Sequence, residues 1–224
     1  MSQPITILLV DDHALLRAGI RMLLSTTDHM QLIGEADKGE QAIQLYQNLK
    51  PDLVIMDLSM PGIGGLEAIR RILLHDAAAR ILVFSVHHEQ VFVSRAINAG
   101  AQGYLTKNSA PEQLLLAIES LMNNQTYIDR ELRQASTDQQ DSNDCQAVIA
   151  AFSPREFDIY RLLAEGLTVN AIADQLCLQQ KTVSNYATQI KKKLGVNTFT
   201  ELAHIAASSG VIIRPPLNTA DTTH

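Results

Sequence analysis

Five short apolar runs, each followed by an amphipathic stretch, constrain this 224-residue chain more than any other feature. The runs occupy residues 5–10, 31–36 (the weakest), 53–56, 81–84 and 103–105. The stretches with helical periodicity cover 14–24, 40–49, 66–74, 90–99 and 111–121. A strand that reads apolar throughout, without polar alternation, is buried on both faces, as in a parallel sheet covered by helices. Five strand–helix repeats therefore predict an α/β domain over residues 1–123: a doubly wound, five-stranded parallel sheet of the flavodoxin-like type.

The pattern changes twice. Residues 124–150 are read as a linker, since Gln, Asp, Ser and Asn dominate 136–146; a short helix is expected near 129–135. From Phe152 the periodicity is helical throughout. Ser153-Pro154-Arg155-Glu156 is a capping box with proline at the first helical position. Gly166 stops that helix, Thr168 caps a second over 169–176, a third spans 179–194 to Gly195, and a fourth covers 200–207. Residues 151–214 thus form a small all-α domain, followed by a tail, 215–224.

Charge separates these segments. The chain carries −6 overall, but residues 1–123 hold −4, 124–150 hold −3 and 151–214 hold +2. The helical domain is the only positive segment, which hints at nucleic acid. No run of 18 apolar residues offers a membrane span, and Met1-Ser2-Gln3-Pro4-Ile5 has neither a basic nor an apolar leader, so a cytoplasmic protein without membrane contact is expected. Cys145 and Cys177 lie far apart and are read as two reduced thiols, not a zinc site.

Ligands of doubly wound sheets bind at the carboxyl ends of the strands. Asp11 and Asp12 follow the first strand, Asp57 the third, Ser85 the fourth, and Thr106-Lys107 the fifth. A lone aspartate after a strand is more often a helix cap. Three carboxylates converging on one edge instead repel one another and require a cation; hard oxygen donors suit Mg²⁺. A carboxylate beside that ion can act as nucleophile and form an acyl phosphate, with Lys107 countering the phosphoryl oxygens and Ser85 donating a hydrogen bond.

In the stretch 179–194, Val183, Ala187, Ile190 and Leu194 share one face and face the domain core. The opposite face carries Lys181, Asn185, Thr188 and Lys192, edged by Ser184 and Gln189, with no acid; Lys191 and Lys193 extend its positive end. Asn and Gln can pair with adenine, and Lys with guanine or phosphate. A short helix, the tight turn at Cys177-Leu178 and this second helix form a helix-turn-helix.

Two families resemble these two parts. Leu8-Leu9-Val10-Asp11-Asp12-His13, Met56-Asp57-Leu58-Ser59-Met60-Pro61-Gly62 and Tyr104-Leu105-Thr106-Lys107 resemble the motifs of a receiver domain. That resemblance implies phosphorylation of Asp57, and Mg²⁺ ligation by Asp12, Asp57 and the Ser59 carbonyl, with Asp11 nearby. It also gives Ser85 and Tyr104 the switching roles beside Lys107. Phe152-Ser153-Pro154-Arg155-Glu156, Leu163-Ala164-Glu165-Gly166-Leu167, Lys181-Thr182-Val183 and Lys192-Lys193-Leu194-Gly195-Val196 resemble the LuxR/FixJ/NarL-type DNA-binding domain. Lys181, Thr182, Ser184, Asn185, Thr188, Gln189, Lys191 and Lys192 are the expected DNA contacts. The whole is similar to two-component response regulators of the GacA/UvrY type, on Pro61-Gly62-Ile63-Gly64-Gly65-Leu66-Glu67-Ala68 and Tyr186; Ser184-Asn185 departs from the residues usual before that tyrosine.

The resemblance implies a sensor histidine kinase or its phosphotransfer domain as phosphodonor. It also implies promoter DNA as ligand, small regulatory RNA genes as targets, and a homodimer on phosphorylation through 200–207. A dehalogenase-type phosphatase needs a second aspartate two residues after its nucleophile, where Ser59 stands after Asp57. A flavin phosphate would be repelled by the acidic strand ends. The remaining alternative is a phosphorylation-independent DNA binder with a degenerate receiver.

Overall fold

A computed structural model describes residues 3–130, 132 and 144–212. The strands are β1 (Ile5–Val10), β2 (Met30–Ala36), β3 (Leu53–Met56), β4 (Ile81–Ser85), β5 (Gly103–Thr106) and β6 (Tyr127–Ile128). They form one parallel sheet in the order β2-β1-β3-β4-β5-β6. The helices α1 (Ala14–Leu24), α2 (Gly39–Leu49), α3 (Gly64–His75), α4 (Gln90–Asn98) and α5 (Pro111–Met122) connect the strands.

Alternate residues of each strand enter different cores, the period of two expected of a pleated sheet. Ile7, Leu9, Leu53, Ile55, Leu82, Phe84 and Leu105 pack with Ile20 and Leu24 of α1 and with Leu114, Ile118 and Leu121 of α5. Leu8, Val10, Val54, Met56, Ile81, Val83 and Tyr104 point the other way, toward Tyr46 of α2, Ile69 and Ile72 of α3 and Phe92 of α4. Each such fully buried side chain contributes about 2 kcal/mol of transfer free energy, so two-sided burial is what fixes the strand register.

The predicted five-stranded sheet is corrected to six. Asn124 adopts a left-handed backbone (φ 57°) after α5, turning the chain back along the open edge of β5. Tyr127 and Ile128 then pair with Gly103 and Tyr104, and the amides of Tyr127 and Asp129 donate to the carbonyls of Gln102 and Tyr104. Two residues carry no periodicity, which is why the segment read as linker. A helix also occupies part of that segment, α6 (Asp144–Ala150), whose Ile149 is buried. Most of the short helix expected near 129–135, much of the polar stretch and the tail lie outside the described residues.

The C-terminal domain contains α7 (Pro154–Ala164), α8 (Val169–Gln175), α9 (Gln180–Leu194) and α10 (Phe199–Ser208). Ser153 and Glu156 form the expected capping box at α7, Thr168 caps α8, and Thr198 with Glu201 forms a second box at α10. Phe157, Tyr160, Ile172, Val183, Ile190 and Leu202 build its core.

The two domains touch. Arg155 donates to the Gly62 carbonyl at 2.7 Å. Arg95 of α4 donates to the carbonyls of Ile149 (3.0 Å) and Phe152 (2.7 Å). Burial pushes the Asp158 carboxyl up to about 6, against the pull of Arg161, Arg155 and Arg95. Among the described residues, no helix is long and apolar enough to cross a membrane.

Gly65, at the start of α3, sits so close to β3 that a Cβ would lie 2.0 Å from the Asp57 carbonyl oxygen and 2.7 Å from the Leu58 Cα. Backbone cannot yield as a side chain can. Gly65→Ala is therefore expected to lose about 3 kcal/mol, read as a lower midpoint in urea unfolding followed by circular dichroism.

Candidate functional site

Register brings the strand ends together. Val10 pairs with Met56, and Ser85 with Thr106; the Asp57 amide donates to the Val10 carbonyl and the Lys107 amide to the Ser85 carbonyl. The next residues along these strands therefore emerge side by side. Asp11 and Asp57 are each 1% exposed, whereas Asp12 faces solvent.

The Lys107 ammonium lies 2.7 Å from Asp11 Oδ2 and 2.8 Å from Asp57 Oδ2, with a side chain only 8% exposed. Burial pushes the Asp57 carboxyl above the usual carboxylate range; Lys107 and the Ser59 amide pull it down and Asp11 adds to the rise. Burial works against the Lys107 ammonium, but Asp57 and Asp11 outweigh it and hold that group above its ordinary value.

Ligand atoms of Asp11, Asp12, Asp57 and also His13 lie within 4.8 Å of one another. The His13 Nδ1 is 2.8 Å from Asp12 Oδ1 and 3.2 Å from Asp11 Oδ1. Three carboxylates against one ammonium leave an excess of negative charge. All three offer hard oxygen donors, so the set fits a divalent cation such as Mg²⁺. The amide of Ser59 donates to Asp57 Oδ1 at 3.3 Å.

Ser85 and Tyr104 are fully buried beside this pocket. Both contact His87, which the sequence did not single out; His13 stood there only as the last residue of the motif from Leu8, with no role of its own. The His87 amide donates to Ser85 Oγ (3.4 Å), the Tyr104 hydroxyl donates to the His87 carbonyl (2.9 Å), and the His87 Nε2 is 2.7 Å from Ser59 Oγ. Burial, helped by Arg161, His88 and Lys107, lowers the His87 ring to about 3, so it is neutral at pH 7. The only signal in the sequence was His87's place two residues after Ser85.

The second candidate surface is α9. Val183, Ala187, Ile190 and Leu194 are buried, as the spacing predicts. Lys181, Ser184, Asn185, Thr188, Gln189 and Lys192 are exposed, and α9 contains no acid. Thr182 and Lys191 are half-buried. The Lys191 ammonium donates to the Asn197 carbonyl at 3.4 Å and lies 4.9 Å from the Phe199 ring centroid. Lys193 turns toward Glu156, at 2.6 Å, and lies 5.7 Å from the Phe152 ring centroid, so it belongs to the domain's packing. Cys177 makes the tight turn between α8 and α9 with a left-handed φ of 52°.

Comparison with known proteins matches both domains. Residues 7–119 match the response regulator receiver domain, and residues 150–206 match the bacterial regulatory proteins of the luxR family. The chain is 39% identical over 208 residues to the response regulator UvrY of Escherichia coli K12, covering 92% of this chain and 95% of that one. It is 38% identical over 211 residues to the response regulator GacA of Pseudomonas aeruginosa PAO1, covering 93% and 98%. RcsB from Salmonella enterica serovar Typhimurium, solved bound to promoter P1flhDC in the presence of the phosphomimetic BeF3−, superposes with a TM-score of 0.65. That likeness has 26% identity and covers 92% of this chain and all of RcsB.

Removing the ammonium leaves Asp11 and Asp57 buried with no compensating charge. Lys107→Met is expected to cost about 3 kcal/mol at neutral pH, with added Mg²⁺ recovering most of the loss; denaturant unfolding with and without the ion measures both.

Proposed function

Because this chain belongs to the response regulators that join a receiver domain to a luxR-family DNA-binding domain, we propose that it is a transcription regulator switched by phosphorylation of Asp57. The observation that carries the reading is the placement of Lys107 between Asp11 and Asp57 at the strand ends.

The Asp57 carboxylate attacks a phosphoryl group carried by a phosphohistidine of a sensor kinase or its phosphotransfer domain. The new P–O bond forms as the P–N bond to the imidazole breaks; the electron pair stays on that nitrogen, and the ring, already protonated on its other nitrogen, leaves as neutral imidazole. Asp11, Asp12, Asp57 and the Ser59 carbonyl would hold Mg²⁺, which when bound neutralises charge on the phosphoryl oxygens. Lys107 is free to turn one of its ion pairs toward the same oxygens, a preorganised charge in a site largely shielded from water. Ser85 supplies a hydroxyl donor from β4, and Tyr104 moves with it. The chain's chemistry ends at its own phosphorylation and dephosphorylation.

The output surface is α9, which lies in the major groove with Asn185 and Gln189 at base edges and Lys181, Thr182, Ser184, Thr188, Lys191 and Lys192 toward bases or phosphates. Two copies joined through α10 would read two half-sites. An apolar groove along Val196, Ala203, Ile205, Ala207 and Ile212 supports that contact. The targets are promoters in the cytoplasm, those of small regulatory RNAs foremost.

Asp57→Ala is expected to abolish acid-labile, hydroxylamine-sensitive phosphate on incubation with a phosphodonor; labelling that persists on this variant removes Asp57 from the scheme. On DNA, Asn185→Ala is expected to cost about 1–3 kcal/mol and to relax specificity at one base pair. Lys192→Ala is expected to weaken all sequences alike and to lower the slope of log affinity against log salt by about one. Fluorescence anisotropy across a salt series distinguishes the two.

A further inference from the structure

Lys107 stands in a turn that is tied to the edge of the sheet. Its amide donates to the Ser85 carbonyl (2.8 Å), and the Ser109 amide closes the turn on the Thr106 carbonyl (3.1 Å). The Thr106 and Ser109 hydroxyls lie 2.9 Å apart. The Ser109 hydroxyl donates its one proton to Asp129 Oδ2 at 2.6 Å, so the Thr106 hydroxyl is the donor to Ser109. Thr106 is 8% exposed and Asp129 6%. Asp129 follows β6, and its amide donates to the Tyr104 carbonyl (3.0 Å). A serine just before a helix ordinarily caps it. Here α5 starts after Ala110 without a side-chain cap, and the Ser109 hydroxyl is spent on Asp129 instead. A hydroxyl relay that ends on a buried carboxylate thus joins the last residue of β5 to the chain just beyond β6.

We propose that Ser109 and Asp129 are positioning residues: they clamp the turn from Thr106 to Ser109 and thereby place the Lys107 ammonium for phosphoryl transfer. The transfer rests on the reading of Asp57 as phosphoacceptor; the clamp does not. In the unmodified pocket Asp11 and Asp57 hold the ammonium themselves. Once the Asp57 carboxylate takes up a phosphoryl group, its pair with Lys107 is given up, and the ammonium must meet the phosphoryl oxygens. A lysine stem is long and flexible, so its reach then depends on the direction in which it leaves the backbone. That backbone is fixed on one side by the Ser85 carbonyl and on the other by the clamped turn. Two ladder residues make β6 a short anchor. The 2.6 Å bond from Ser109 has the length of a strong hydroxyl–carboxylate bond and reinforces it. Placement matters because a shift of about 1 Å at a reacting group can cost about a hundredfold in rate.

The test is the rate at which the full chain is phosphorylated by acetyl phosphate with Mg²⁺. Wild type is compared with Ser109→Ala, Ser109→Thr, Lys107→Met, and Lys107→Met combined with Ser109→Ala. Ser109→Ala is expected to react about tenfold more slowly than wild type. Ser109→Thr keeps the hydroxyl, and a cavity of about 290 Å³ bordering Ser109 has room for the added methyl, so it is expected to react like wild type. Because the clamp acts through Lys107, Ser109→Ala is expected to slow the Lys107→Met chain no further. A Ser109→Ala rate equal to wild type overturns the proposal. So does an equal slowing in both backgrounds, which marks a merely structural role. A threonine chain as slow as the alanine chain overturns the part given to the hydroxyl. Amide exchange at Lys107 needs no phosphoryl group and is expected to be about tenfold faster in Ser109→Ala; unchanged exchange overturns the clamp. Phosphate that persists on Asp57→Ala, or a wild type that takes up none, strikes at the phosphoacceptor reading, and exchange at Lys107 then decides the clamp. Should the alanine chain not fold, Thr106→Val removes the first donor of the relay at closely similar shape and is expected to slow phosphorylation alike.

Discussion

Electrostatic repulsion between carboxylates confined at one end of a parallel sheet is the constraint on which the rest of the molecule depends. Asp11 and Asp57 are almost fully buried, and the charge available to compensate them inside the pocket is the Lys107 ammonium from β5. One cation among three carboxylates leaves the pocket short of positive charge. That deficit makes it receptive to a divalent ion, and together the ion and Lys107 make it receptive to a phosphoryl group. The sheet must be rigid for this to work. Two-sided burial of β1, β3, β4 and β5 supplies the rigidity, because a slip of one residue would turn every apolar side chain into the opposite core.

The same architecture explains how a local charge can matter at a distance. Ser85 and Tyr104 leave adjacent strands, and the loop after β4 carries His87 between them and α4. Beyond α4 lies α7, which meets Phe92 through the edge of Phe157 and through Arg95, and which also packs against α3. Contacts of this kind are few and directional. They can be lost as a set when one member tilts, as a two-state element requires.

Much of the fold was legible in the sequence because its causes are local or periodic. Continuous apolar runs announced buried strands; 3.6-residue spacing announced helices; Ser153, Pro154 and Glu156 announced the start of α7, where the capping box is found. The core face of α9 could be read from Val183, Ala187, Ile190 and Leu194. What escaped was short or relational. Tyr127-Ile128 is too brief for a period, and it is a strand because β5 offers an open edge. His13 closed a motif but had no role there, and His87 stands in no spacing pattern, yet the fold sets one beside Asp12 and the other against the Ser59 hydroxyl. Lys193 was read as extending the positive end of α9, but Glu156 captures it.

The order of residues by itself determined which side chains could gather at the strand ends, because in a doubly wound sheet the residue after each apolar run must emerge on the same edge. It also determined the acid-free face of α9, since helical period assigns faces without reference to a partner. Only the tertiary structure decided that Lys107 lies between Asp11 and Asp57, that His87 joins three groups around the pocket, and that α7 docks on α4. Those outcomes depend on distances between residues far apart in the chain. Packing sets such distances, whereas periodicity records nothing beyond its own turn or strand.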